Sequence, residues 1–209
     1  MFSRCPAKSP FSPPSHGGFL LGLIFLWVSA LNAEPDALVR YADALAWPDK
    51  DQTAQLAFTE ERNFPFRKFP KRYAGNMFRA PNGELAICYE SPHAFRLVIQ
   101  GDAILLDDGD GQLRPLPTDG ADARVVSDLL RGDLGRLRAD WTNEPIDDGL
   151  RLTPTLESIR KEIKYIDVTF ADGRVQTVTV NQRNQAIRRY EFGALTWLTG
   201  DTAALPFAE

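Results

Sequence analysis

Histidine moves protons near neutral pH more readily than other side chains, and this chain carries two, His16 and His93. A histidine triad or a zinc site in the body of the protein would rest on His93 alone. Pro92 precedes it, so a loop position is expected. The acidic run Asp107, Asp108 and Asp110 is spaced like the start of a calcium loop. The helix-flanked calcium pattern ends in a bidentate glutamate, and none follows here. A hairpin turn accounts for these aspartates. Glu60 and Glu61 are adjacent, so on a strand they point to opposite faces and cannot share a substrate as acid and base. The chain has no GxxxxGK[ST], no GxGxxG and no GxSxG. Neither catalytic residues nor a metal or other cofactor is expected, and the protein does not read as an enzyme.

The other chemically suggestive stretch runs from Arg62 to Tyr73, RNFPFRKFPKRY, where basic and aromatic residues alternate. Such a mixture suits an anionic surface. Pro65 and Pro70 equally suit a long hairpin connection kept in solvent by its cations. The net charge of −4 argues against a nucleic-acid partner, because phosphate binding calls for a basic excess.

Residues 1–33 read as an export signal. Arg4 and Lys8 give a positive start, and no acidic residue occurs before Glu34. Phe19 to Leu31 is an apolar run too short for a membrane span of about twenty residues, but of the size of a signal-peptide core. Small residues follow, and cleavage is expected after Ala33, with Ala30 as the alternative and an uncleaved anchor as the competing reading. Removing residues 1–33 takes away Arg4, Lys8 and no acid, so the charge moves from −4 to −6. It also removes Cys5. Cys88 is then alone in an oxidising compartment, and its apolar setting, LAICY, predicts a buried, unreactive thiol.

These residues have to be held by a framework, and its pattern is mostly period two. The length of 209 residues, with 44% hydrophobic and 25% charged, excludes a disordered chain, a collagen repeat and a coiled coil. Pro35 to Ala46 has helical spacing. Alternation then begins at Thr53, with Leu56 and Phe58 on one side, and returns at 85, 87 and 89 and at 95, 97 and 99. Asp/Gly-rich turns at 107–111 and 172–173 separate further alternating runs. Between them, residues 121–131 form a helical stripe with Gly132 as its C-cap, and a shorter helix is expected at 134–137. After Trp141 the strands resume. Short turns between strands imply an antiparallel sheet in one domain, residues 34–209.

The string Phe58 to Pro92, FTEERNFPFRKFPKRYAGNMFRAPNGELAICYESP, resembles the LolA family of periplasmic outer-membrane lipoprotein carriers. The matching features are Phe58-Thr59-Glu60, then Gly75-x-Met77-x-Arg79-Ala80-Pro81, then the strand carrying Leu85, Ile87 and Tyr89. Leu129-Leu130-x-Gly132-Asp133 resembles the family's central helix, and Leu150-x-Leu152-Thr153-Pro154 a later strand and turn. The resemblance spans roughly residues 36–199 in the right order. It implies a mainly β (α+β) fold, an open, incomplete antiparallel β-barrel curved around an apolar cavity and covered by helices.

The resemblance also implies a carrier of acyl chains, working as a monomer between an inner-membrane exporter and an outer-membrane acceptor. The physical need for one is plain. A sixteen-carbon chain exposes roughly 12 kcal/mol of apolar surface to water, at about 0.8 kcal/mol per methylene. The expected cavity wall is Leu56, Phe58, Met77, Leu85, Ile87, Tyr89, Leu97 and Ile99. The expected lid is Val125, Val126, Leu129 and Leu130. Core packing is the competing role for each. A lipid- or lipoprotein-sensing regulatory module of similar fold is the alternative function; a periplasmic hydrolase would need a nucleophile–base pair. Where the carriers have arginine directly before the proline, as a latch on the lid, this chain has Ala80. Arg79 stands one position earlier, where a strand is expected to turn it to the other face. The departure favours a divergent, LolA-related branch, with lipoprotein, glycolipid, fatty acid or pigment lipid as the cargo.

Overall fold

A computed structural model describes residues 36–45, 51–101, 103–116, 128–129, 131–199 and 205–207. The chain divides into Met1–Pro35 and Asp36–Glu209, and the fold is that of the second unit. Its strands are β1 (Thr53–Asn63), β2 (Lys71–Arg79), β3 (Leu85–Ser91), β4 (Phe95–Gln100), β5 (Ala103–Asp107) and β6 (Arg114–Pro115). After the helical middle come β7 (Trp141–Ile146), β8 (Gly149–Pro154), β9 (Ile163–Ala171), β10 (Arg174–Gln182) and β11 (Ile187–Leu198). They form one eleven-stranded sheet in the order β6-β5-β4-β3-β2-β1-β11-β10-β9-β8-β7. Two meanders are joined where β1 pairs with β11, and β6 and β7 remain as edges. The expected open, unclosed antiparallel barrel is the fold that forms.

Directly opposed residues of an antiparallel ladder project from the same face. The register therefore defines the interior in rows. One row runs Leu106, Leu97, Ile87, Met77, Leu56, Leu195, and the next Phe95, Tyr89, Gly75, Phe58, Phe192. A third runs Tyr73, Glu60, Tyr190, Val178, Val168, Leu150. These rows contribute Phe58, Met77, Ile87, Tyr89, Tyr190, Val178, Val168 and Leu150 to the hydrophobic core.

Short helices cover this face. α1 (Ala37–Arg40) and α2 (Ala42–Leu45) stand where one helix over 35–46 is expected. The break falls at Tyr41, whose ring stacks on Phe170 with centroids 4.2 Å apart. Asp36 caps α1 by accepting from the Leu38 N–H. α3 (Leu134–Asp140) is capped by Asp133, extends three residues beyond the expected end and buries Leu137. Asp128, Leu129 and Arg131 are also helical, and Leu129 is buried in the core. Val125, Val126 and Leu130 lie outside the described residues. A further helical turn, α4 (Glu157–Arg160), buries Ile159.

Two glycines allow close passage of neighbouring strands. A Cβ on Gly75 would lie 2.0 Å from the Cys88 carbonyl oxygen, and one on Gly149 would lie 1.9 Å from that of Val168. The missing side chain at Gly75 also leaves room across β2. Phe58 and Tyr89, on its two neighbours, meet edge to face with ring centroids 5.2 Å apart.

The outer face is covered at β3. Ala86 and Val98 are fully buried there, on the side away from Ile87 and Ile99. A 3-10 turn at Leu205–Phe207 packs on β3, and the Pro206 carbonyl accepts from Arg96 at 3.4 Å. Burial on both faces explains the unbroken apolar run LAIC. Cys88 shares this side and is half-buried. The thiol is thus less buried than expected, although burial still pushes it up to about 11.

The edges are short or interrupted. β6 has two residues, one of them Pro115. β7 contains Pro145 and adjoins α1, whose Leu38 N–H reaches the Asn143 amide oxygen at 3.4 Å.

Candidate binding site

All eight expected wall residues share the interior face. Phe58, Met77, Leu85, Ile87, Tyr89 and Ile99 are buried, and Leu56 and Leu97 are half-buried against the same cluster. On β1 the alternation that selected them reflects one-sided burial, whereas β3 is buried on both faces. Leu129, from the helical segment, joins this cluster.

The interior also holds a polar group that sequence reasoning passed over. Glu60 points inward, 1% exposed, two residues beyond Phe58 on β1. Arg62 donates to it through Nε at 2.5 Å and Nη2 at 2.8 Å, and the Tyr89 hydroxyl donates at 2.9 Å. The Arg62 guanidinium also lies over the Tyr73 ring, 4.2 Å from its centroid. Burial works against the Arg62 cation, yet its hydrogen bonds to Glu60 and the Glu60 charge outweigh this and hold it above its ordinary value. Burial, reinforced by the charge of Glu60, raises both the Tyr89 and the Tyr190 phenols. The ion pair is thus a fixed polar group set among apolar residues of the interior face. The signal was present in the sequence. Leu56, Phe58, Glu60 and Arg62 continue one alternation, so an acid and a base occupy inward positions.

Glu61 points the other way, as expected. It lines a cleft of about 420 Å³ in which Thr59, Arg72, Arg189 and Glu191 are joined by Glu60 and Tyr73. Its carboxylate accepts from Asn63 at 3.0 Å and Arg72 at 3.1 Å, and these two bonds lower its pKa. Arg189 pairs with Glu191 at 2.9 Å. The charges of this cleft are thus matched within the sheet.

Arg79 departs from expectation. It lies opposite Ala54 and Leu85, so it shares the interior face with Met77. β2 ends at Arg79, and Ala80 leaves the ladder in a tight turn. There Ala80 is buried, its N–H donating to the Glu84 carbonyl and its own carbonyl accepting from Gly83, both at 2.9 Å. Counting from the proline fails because Ala80 is no longer in the strand. A contact between helix and sheet does exist, with its polarity reversed. Arg131, on the helical segment, donates to the Gly101 carbonyl at 2.9 Å and approaches that of Ile99 at 3.5 Å.

Asp107, Asp108 and Asp110 converge, with ligand-type oxygens within 4.8 Å of one another. Their oxygens are engaged as a hairpin turn requires. Asp107 accepts from the N–H groups of Gly109 and Gly111 at 2.9 Å and from Arg96 at 3.1 Å. Asp110 accepts from the Gln112 N–H and from Arg114. The Gly109 N–H foremost, with Gly111 and Arg96, holds the Asp107 carboxyl below the usual carboxylate range. His93 is exposed, as a loop histidine should be.

No family profile and no curated relative matches the sequence. Solved structures match it in fold. The likeness is one of fold alone. MucB superposes with a TM-score of 0.51 at 15% identity, over 82% of this chain and 63% of MucB. The chain thus spans less than two thirds of MucB. A LolA superfamily protein from Nitrosomonas europaea gives a TM-score of 0.48 at 11% identity, over 80% of this chain and 94% of that one. A DUF1329 family protein from Desulfovibrio piger gives 0.48 at 13% identity, over 81% and 93%. Among the described residues no helix is long and apolar enough to cross a membrane.

Proposed function

We propose that this protein is a non-enzymatic periplasmic carrier. It takes the acyl chains of a lipid or lipoprotein between its sheet and its helices and moves them from the inner towards the outer membrane. One observation carries the reading: the interior face of an unclosed sheet is apolar across many strands, yet the helices α1 to α4 that cover it have seven residues or fewer. Helices of this length are not stable alone and depend on the surface they cover. They can lift while the sheet keeps its ladders. Leu56, Phe58, Met77, Leu85, Ile87, Tyr89, Leu97 and Ile99 are the proposed wall, with Leu129 in the cover and Val125, Val126 and Leu130 continuing it.

The test is lipid extraction from protein purified out of its native periplasm, followed by mass spectrometry. Stoichiometric acylated cargo supports the carrier, and its absence at full occupancy of the fold refutes it. N-terminal sequencing of the same material should give Glu34 as the first residue. A regulatory module is the second reading, and the likeness in fold to MucB favours it. It predicts a co-purifying membrane partner and no stoichiometric lipid.

A further inference from the structure

The hairpin joining β1 to β2 ends in a tip unlike the rest of the surface. Phe66 is 78% exposed and Phe69 73%, the highest values among exposed large hydrophobic residues in the described chain. The tip is folded: the Arg67 N–H donates to the Phe64 carbonyl at 3.0 Å, and the Phe64 and Phe66 rings lie 5.6 Å apart. Arg67 and Lys68 sit beside the rings of Phe64 and Phe69, 5.7 and 5.5 Å from their centroids. Lys71 is also exposed, whereas Arg72 shares its charge with Glu61. No acidic residue occurs from 62 to 83, in a chain whose net charge is −4.

We propose that this tip, Phe64 to Lys71, docks the protein on an anionic lipid surface, Phe66 and Phe69 entering the interfacial layer while Arg67, Lys68 and Lys71 meet the headgroups. Two phenyl rings offer far too little area for a stable protein interface, which buries at least about 1,000 Å². They suffice as interfacial anchors, where rings sit at headgroup level and long cations reach past them to phosphate. Each Lys or Arg near such a surface strengthens binding about fivefold, so the three together contribute on the order of a hundredfold. The rest of the acidic surface is repelled, which fixes the orientation. This inference does not depend on a cargo, and its test uses none.

The experiment is hydrogen exchange on the full chain, with vesicles of phosphatidylcholine alone or mixed equally with phosphatidylglycerol. Reading at residues 64–72 isolates the tip from any binding through the apolar run 19–31. Exchange there should slow with the mixed vesicles only, and recover in high salt. Phe66→Ser with Phe69→Ser should weaken the effect at least about tenfold and leave the melting transition unchanged, since both rings are exposed. The proposal is overturned if the tip exchanges equally with and without mixed vesicles. It is equally overturned by equal protection from neutral vesicles, by protection that survives the double substitution, or by protection that appears with protein concentration alone, which would indicate self-association.

Discussion

Replacing Arg131 with alanine should loosen the helical segment around Leu129 and spare the sheet. The wild-type guanidinium ties that segment to the β4–β5 turn through Gly101 at 2.9 Å, with a weaker approach to Ile99 at 3.5 Å. A hydrogen bond from a charged donor contributes about 1.5–3 kcal/mol. Gly101 is exposed, so the lower end applies and the 3.5 Å approach adds little. A loss of about 1.5 kcal/mol raises the population of the opened segment roughly tenfold. Hydrogen exchange reads this at the Gly132 and Asp133 amides, which donate to Leu129 and Asp128 at 3.1 and 3.3 Å. Both should exchange about ten times faster in Arg131→Ala, while amides in β4 and β9 keep their rates. Arg131→Lys retains charge without the guanidinium fork and should fall between the two. Unchanged rates at Gly132 and Asp133 would show that the tie carries no energy. Equal acceleration in the sheet would refute local opening and make Arg131 an ordinary stability residue.

Glu60→Gln should cost about 3 kcal/mol in chemical denaturation, the low end for breaking a buried ion pair because Arg62 retains 20% side-chain exposure. Glu60→Leu combined with Arg62→Met should recover most of that loss; a double variant as unstable as the single one would refute the ion-pair account. Gly75→Ala should destabilise by about 3 kcal/mol, the upper end for overpacking, since the new Cβ meets the Cys88 backbone and no flexible side chain can yield. Alkaline stability follows from groups whose folded pKa values are raised: their contribution is complete below the unfolded pKa and is lost as pH rises towards the folded value. Cys88, at about 11 in the fold against 9.0 unperturbed, should start the decline near pH 9, and Tyr89 and Tyr190 should extend it above about pH 10. Denaturation midpoints across that range should fall less steeply in Cys88→Ser at its lower end and in Tyr89→Phe at its upper end.

The interior face was legible because burial is one-sided and side chains alternate. On β1, Leu56 and Phe58 announce it without any knowledge of their partners. What escaped the sequence depends on where an element stops. The face of Arg79 follows from its pairing with Leu85, and counting back from Pro81 gives the wrong side because Ala80 has left the strand. The helix expected over 35–46 breaks at Tyr41, whose helical spacing says nothing of the ring waiting at Phe170. β7 reads poorly because Pro145 argues against a strand, yet an edge tolerates proline where a central strand does not. Glu60 could have been found, had the inward alternation been followed past its last apolar member.

The unclosed sheet has a consequence for the protein outside its folded context. A closed barrel has no unpaired backbone, whereas this sheet exposes two margins to every neighbour in a crowded compartment. One margin is only two residues long and half of it is proline, which has no N–H to offer an incoming strand. The other is interrupted by Pro145 and flanked by α1. Neither presents the long, regular row of donors and acceptors on which fibrils grow. The chain can therefore keep its sheet open without becoming a template for aggregation.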